Sequence, residues 1–314
     1  MKIVADENIA FASEIFAGLA ELVLVPGRSI SRADVQDADI LLVRSVTAVN
    51  PALLAGSRVR FVGSCTIGTD HVDTAWLAQH GIAFAWAPGC NARAVVEYVL
   101  SSLLALQVDI AVSQIGIVGC GNVGGRLLRC LQQAGARVSV FDPFLDDPSL
   151  PQVGFADILQ CDVICLHTPL TKSGPHPTYH MFGADVIARL RPGTVLLNAG
   201  RGAVIDNVAL LRRLQQRNDL RVVLDVWENE PAIDAALLER VAIGTPHIAG
   251  YSAEGKWRGT EMVYEALCRF LGQTVQPLSV SLEGAVEPYA VQADDAALRA
   301  QFPTGGAAAF DRLR

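Results

Sequence analysis

The chain has 314 residues, 51% of them hydrophobic and 18% charged, which is more apolar surface than a disordered chain leaves in water and enough for two domains with real cores. Twenty-five Lys and Arg against 32 Asp and Glu give a net charge of −7, the wrong sign for a protein that gains affinity by neutralising nucleic-acid phosphates. No run reaches the ~18 apolar residues of a membrane span, and Asp6 and Glu7 cut short the N-terminal apolar run, so a cytoplasmic protein with no nucleic-acid or membrane partner is expected.

Short apolar runs alternate with amphipathic stretches from the first residue onward, the pattern of parallel α/β domains. The first alternation predicts strands over 2–5, 22–25, 40–43, 59–62 and 82–85, with helices over 11–19 and 73–80. Asn91 is a candidate cap for a long apolar helix over 92–106. A second alternation predicts strands over 115–118, 138–141, 163–166, 195–198 and 222–224, separated by helices over 122–134, 184–190 and 207–216. A helix over 253–271 then follows and is long enough to return to the first domain, which makes that domain discontinuous in sequence. The fold class expected is therefore α/β, with two Rossmann-like doubly wound parallel-sheet domains.

Seven cysteines without a CxxC pair read as free buried thiols. His176 and His180 have the spacing of two metal ligands on one helix face, but Pro175 and Pro177 break such a helix and no acidic or thiol partner is expected nearby, so no metal is expected. Arg93 and Glu97, at i,i+4 on the 92–106 helix, read as a surface ion pair rather than a catalytic couple.

Chemistry enters at the strand ends. Residues 115–125, IGIVGCGNVGG, are strand, G-x-G-x-x-G and helix, the context a dinucleotide fingerprint requires. Gly119 permits the tight turn, Gly121 lets backbone N–H groups approach a pyrophosphate, and Gly124 lets the helix beginning at Asn122 and Val123 pack on its strand. The next strand ends at Asp142, a carboxylate placed to bond both ribose hydroxyls and to repel a 2′-phosphate, which favours NAD over NADP. Downstream, NAGRG (198–202), DVWENEP (225–231) and TPHIAG (245–250) put an arginine, acidic residues and a histidine where an open α/β sheet places ligands. A base with a carboxylate partner and a fixed cation suits interconversion of an alcohol and a ketone.

The fingerprint with Asp142, NAGRG, DVWENEP and TPHIAG, in this order, resembles the D-isomer-specific 2-hydroxyacid dehydrogenases to about Leu271. Within that family RSVT (44–47), GSCTIGTDH (63–71) and TPHIAGYSAEGKWRG (245–259) resemble a branch that oxidises a phosphorylated 2-hydroxy acid with NAD. The resemblance implies a substrate-binding domain from 1–92 with 247–272, an NAD-binding domain over 93–246, and a C-terminal dimerisation region over 273–314, shorter than the family's, serving a homodimer. It implies that Arg201 holds the substrate carboxylate and C2 oxygen, His247 takes the C2 hydroxyl proton and Glu230 orients His247, with Glu228 the reserve carboxylate. It further implies that Asp225, Thr168, Ala199, Gly200, Arg201 and Gly250 line the cofactor, that Ser45, Thr66 and Tyr251 bind substrate, and that Arg44, Lys256 and Arg258 supply cations for a phosphate. A sister enzyme for 3-phosphoglycerate, glyoxylate or hydroxypyruvate is the nearest alternative, and an NAD(H)-sensing binding protein the alternative of another class; turnover separates them.

Overall fold

The structure, a computed structural model, describes residues 1–278. The expected C-terminal dimerisation region lies, from residue 279 onward, outside the described residues. Among the described residues two compact units are formed, Met1–Asn91 with 251–278, and Ala92–Gly250.

The first unit begins with β1 (Lys2–Asp6), α1 (Ala12–Phe16), β2 (Glu21–Val25), α2 (Arg32–Val35), β3 (Ile40–Val43), α3 (Pro51–Leu54), β4 (Phe61–Ser64), α4 (Thr74–Gln79) and β5 (Ala83–Trp86). The second contains α5 (Ala92–Ala105), β6 (Gln114–Val118), α6 (Asn122–Gln133), β7 (Arg137–Phe141), α7 (Phe155–Ile158), β8 (Val163–Leu166), α8 (Ala184–Arg189), β9 (Val195–Asn198), α9 (Asn207–Gln216), β10 (Arg221–Leu224), α10 (Ala235–Leu238) and β11 (Ile243–Gly244). α11 (Ala253–Leu271) completes the first unit. All strand pairs are parallel, in the orders β2-β1-β3-β4-β5 and β11-β10-β9-β8-β6-β7.

Why these runs become strands is plain from their burial. β3, β8 and β9 are apolar or buried at every position because helices cover both faces of a parallel sheet, so the strands do not alternate. Each fully buried Leu, Ile or Val contributes about 1.5–3 kcal/mol relative to exposure. In the first unit Val263 and Leu267 of α11 are fully buried with Ile3, Ile40, Leu42 and Phe61. Gly63 makes that approach possible, since a Cβ there would stand 2.5 Å from Val263 Cγ1.

Several boundaries differ from the sequence expectation for identifiable reasons. β4 runs two residues later than 59–62, because Gly63, ordinarily a weak strand residue, is selected for this packing. The 11–19 helix shrinks to Ala12–Phe16, since Phe11 takes a left-handed φ of 60°. The helix after Asn91 forms, but Asn91 Oδ1 is buried with no hydrogen-bond partner among the described residues, so the expected side-chain cap is not made. β11 and the one-turn helices α2, α3, α7 and α10 are too short to show periodicity. All seven cysteines are free, six of them buried. Arg93 Nε donates to Glu97 Oε1 at 2.8 Å on an exposed helix face.

Candidate active site

In the second sheet the strand order reverses between β6 and β8, and a parallel sheet binds ligands outside the carboxyl ends of its strands at such a switch. The loops emerging there are Gly119–Gly121 after β6 and His167–Thr168 after β8. Gly119 has φ +86°, and a Cβ on it would lie 2.9 Å from the His167 carbonyl and from Thr168 Cγ2. A Cβ on Gly124 would overlap the Gly119 carbonyl oxygen, so α6 packs against the turn only with glycine there. Gly121, by contrast, has nothing within 4 Å of a Cβ and precedes α6 without a side-chain cap. The open space therefore lies over the uncapped N–H groups that begin with Asn122 and Val123, a favourable place for an anion.

Asp142 follows β7, its Oδ2 accepting from the Cys120 N–H at 2.9 Å and its Oδ1 from the Phe144 N–H at 3.1 Å. The carboxylate is thus locked beside the glycine turn. Both ring nitrogens of His167 and the hydroxyl of Thr168 are buried with no hydrogen-bond partner among the described residues. Burial pushes the His167 imidazole down to about 4, so it is neutral at physiological pH. A glycine cradle, an uncapped helix N-terminus, an acidic residue at the next strand end and orphaned polar atoms fit a dinucleotide.

The loops after β9, β10 and β11 carry the remaining groups of this unit. Asn198, fully buried, fixes the NAGRG turn by accepting from the Gly200 N–H at 3.0 Å and donating to the Arg201 carbonyl at 2.9 Å. Ala199 and Gly200 are half-buried on this turn, and Arg201 Nη1 donates to the Gly200 carbonyl at 2.9 Å. A Cβ on Gly202 would overlap the Trp227 carbonyl, so the Arg201 turn is pressed directly against the DVWENEP loop. In that loop Glu230 Oε1 accepts from the Trp227 N–H at 2.8 Å while its Oε2 lies 2.9 Å from His247 Nδ1. A carboxylate only accepts, so Nδ1 carries the proton and Nε2 is left as the acceptor. His247 itself has φ 58°, and its N–H donates to the Asp225 carbonyl at 2.7 Å. Asp225 is buried and accepts from the Thr245 hydroxyl (2.6 Å), the Ile248 N–H (2.7 Å) and the Ala249 N–H (2.9 Å), so both of its oxygens hold the segment leading to Gly250. Burial pushes the Asp225 carboxyl up, against the lowering effects of His247 and these three donors.

In the first unit the order reverses between β1 and β3. Asp6, wholly buried at the end of β1, receives Arg44 Nε on Oδ2 at 2.9 Å and Arg44 Nη2 on Oδ1 at 3.5 Å. Arg44 is thus already matched by an acid the sequence reading did not connect to it, and Ser45 beside it is exposed. Ser64 Oγ lies 2.9 Å from Thr66 Oγ1 and 3.1 Å from His71 Nε2. Lys256 Nζ stands 3.4 Å from the centroid of the exposed Tyr251 ring, a cation–π contact, and Arg258, two residues further along α11, is exposed.

Glu228, the reserve carboxylate, is engaged elsewhere: its Oε1 lies 2.7 Å from His180 Nε2 and its Oε2 accepts from the Asn207 N–H at 2.8 Å. This corrects the premise that His180 has no acidic partner, since Asp206 and Glu228, remote in sequence, come within 4.8 Å of it. His176 instead packs edge-on against Phe144. Asn198, Gly202 and His167 were also missed as site residues. Their positions at or just past strand ends were the available signal.

Residues 98–249 match the family described as D-isomer specific 2-hydroxyacid dehydrogenase, NAD binding domain. Among curated proteins, an erythronate-4-phosphate dehydrogenase of Cellvibrio japonicus is 50% identical over all of this chain and 91% of its own length. The chain belongs to the D-isomer specific 2-hydroxyacid dehydrogenases, in their erythronate-4-phosphate dehydrogenase branch. A second member of the branch, from Edwardsiella ictaluri, is 55% identical over 92% of this chain and 78% of its own. Among solved structures, NAD-bound 3-phosphoglycerate dehydrogenase of Entamoeba histolytica aligns with a TM-score of 0.74 and 26% identity over 87% of this chain and 95% of that one. D-lactate dehydrogenase of Aquifex aeolicus, 22% identical with a TM-score of 0.75 over 87% and 96% of the two chains, shares the fold.

Proposed function

We propose that the chain oxidises 4-phospho-D-erythronate at C2 to (R)-3-hydroxy-2-oxo-4-phosphooxybutanoate, a step of pyridoxal 5′-phosphate (vitamin B6) biosynthesis, with NAD as cofactor. The observation that carries the reading is the Glu230–His247 pair, 2.9 Å apart, in a chain half identical to dehydrogenases named for this substrate. His247 Nε2 takes the C2 hydroxyl proton, and Glu230 holds the ring in the tautomer that makes this possible. Arg201 offers a planar fork of donors to the substrate carboxylate and C2 oxygen. Bound NAD supplies the hydride acceptor. Gly119, Gly121, Asn122, Val123 and Gly124 would cradle its pyrophosphate and Asp142 its ribose, with Thr168, Ala199, Gly200, Asp225 and Gly250 around the remainder. Ser45, Thr66 and Tyr251 bind the polyol chain, and the phosphate falls to Arg44, Lys256 and Arg258. The substrate domain is assigned to 1–92 with 247–272 and the NAD domain to 93–246. The working form is assigned as a cytoplasmic homodimer joined through 273–314. Formation of NADH and the 2-oxo acid from 4-phosphoerythronate by the purified chain tests the reading.

Cofactor choice is tested separately at Asp142. Asp142→Ser removes both the ribose acceptor and the repulsion of a 2′-phosphate, so the preference for NAD over NADP in kcat/KM narrows. The same substitution frees the Cys120 N–H, so binding of both cofactors weakens together with the loss of discrimination. An unchanged NAD/NADP ratio would assign the discrimination to another residue.

A further inference from the structure

We propose that His180, acting through Glu228, is a positioning residue for the Arg201 and Glu230–His247 groups; this deepens the reading above and rests on it. His180 is tied to two loops at once. Its backbone N–H donates to the Ala203 carbonyl at 2.8 Å, and the Phe182 N–H donates to Val204 at 3.0 Å, which clips 180–182 to the segment immediately after Arg201 and Gly202. Its side chain meets the other loop, Nε2 lying 2.7 Å from Glu228 Oε1. Glu228 is anchored again by the Asn207 N–H on its second oxygen at 2.8 Å and by its own N–H on Asn207 Oδ1 at 3.2 Å. Two residues on in the same loop, Glu230 accepts from the Trp227 N–H with one oxygen and meets His247 Nδ1 at 2.9 Å with the other.

The backbone supplies an independent observation. Six residues other than glycine have positive φ among the described residues, and three of them, His180 (51°), Asn229 (59°) and His247 (58°), belong to this one assembly. Such conformations persist only where surrounding contacts over-determine them. His180 and Glu228 are among those contacts. Tyr179 stacks on the His180 ring at 4.0 Å, and the ring's other face of charge is Asp206, whose Oδ2 lies 3.8 Å from Nδ1. The ring stands between two carboxylates, and the second Glu228 oxygen is occupied by an amide. That is the arrangement of a hydrogen-bonded clamp, and since the same three side chains bring ligand atoms within 4.8 Å of one another, a bound cation is the rival that the test must separate from it.

The test uses the full chain. His180→Asn keeps a residue type tolerant of the left-handed conformation but withdraws the donor from Glu228. It lowers kcat about tenfold, as a sub-ångström shift of catalytic groups does, and leaves KM for NAD unchanged. His180→Gln, which returns an N–H near the Nε2 position, restores kcat toward wild type. Adding Glu228→Ala to His180→Asn costs nothing beyond Glu228→Ala alone. Without any substrate, the Nδ1 proton resonance of His247 shifts in His180→Asn, so the inference can be judged even if 4-phosphoerythronate is not turned over. Wild-type kcat in His180→Asn, an unmoved His247 resonance, equal losses in the Asn and Gln variants, or loss of wild-type activity on treatment with EDTA would each overturn it, the last by assigning His180, Asp206 and Glu228 to a metal.

Discussion

His247→Asn lowers the rate of 2-hydroxy-acid oxidation by about 10²–10⁴-fold, the contribution of a positioned general base. Asn keeps a polar group of similar reach near Glu230, so the loss reports proton transfer rather than a collapsed loop. In the wild type, oxidation needs Nε2 to accept a proton from the C2 hydroxyl, while reduction of the 2-oxo acid needs the same nitrogen to give one back. The variant loses both transfers. Its fold is retained, because the loop is held by Asp225 through the Ile248 and Ala249 N–H groups and by the Thr245 hydroxyl, none of which involves the imidazole. Rates of both directions, measured on wild type and variant, check the prediction. A variant with wild-type turnover in both directions removes His247 from the chemistry.

Arg44→Ala destabilises the first unit by about 3–5 kcal/mol, because it leaves a buried carboxylate without its counter-charge. Asp6 is wholly buried and its other hydrogen-bond donor is the Asn8 N–H at 2.9 Å, too little to hold an anion away from water. Adding Asp6→Asn to the variant recovers most of the loss, as chemical denaturation of the two variants would show. Catalysis is affected separately. Nε and Nη2 face Asp6, so a phosphate contact, as proposed above, would use the other guanidinium N–H groups. Charge-assisted hydrogen bonds are worth about 1.5–3 kcal/mol each, roughly a ten- to hundredfold effect. The Asp6→Asn/Arg44→Ala chain therefore loses that factor in kcat/KM on 4-phosphoerythronate and little on erythronate. Equal losses on both acids would confine Arg44 to holding the fold.

The sequence made the two doubly wound sheets legible because parallel strands are continuous apolar runs and the helices between them are amphipathic. It placed Gly119, Asp142, Arg201, Glu230 and His247 at strand ends, since that position depends only on element order. What it left unread depends on tertiary approach. Asp6 meets Arg44 across 38 residues, and His180 meets Glu228 across 48. Gly202 is needed because the Trp227 carbonyl passes over it, a contact no local pattern encodes. His167 reads in sequence as one more residue beside a strand; only its burial without a partner marks it.

The most direct measurement is kcat/KM with NAD for 4-phosphoerythronate, erythronate, 3-phosphoglycerate and glycolate, each followed by NADH formation. The account predicts that 4-phosphoerythronate exceeds erythronate by at least the roughly ten- to hundredfold that one charge-assisted phosphate contact supplies, and exceeds the other two acids as well. Equal rates on the phosphorylated and unphosphorylated acids, or faster oxidation of 3-phosphoglycerate, would contradict it.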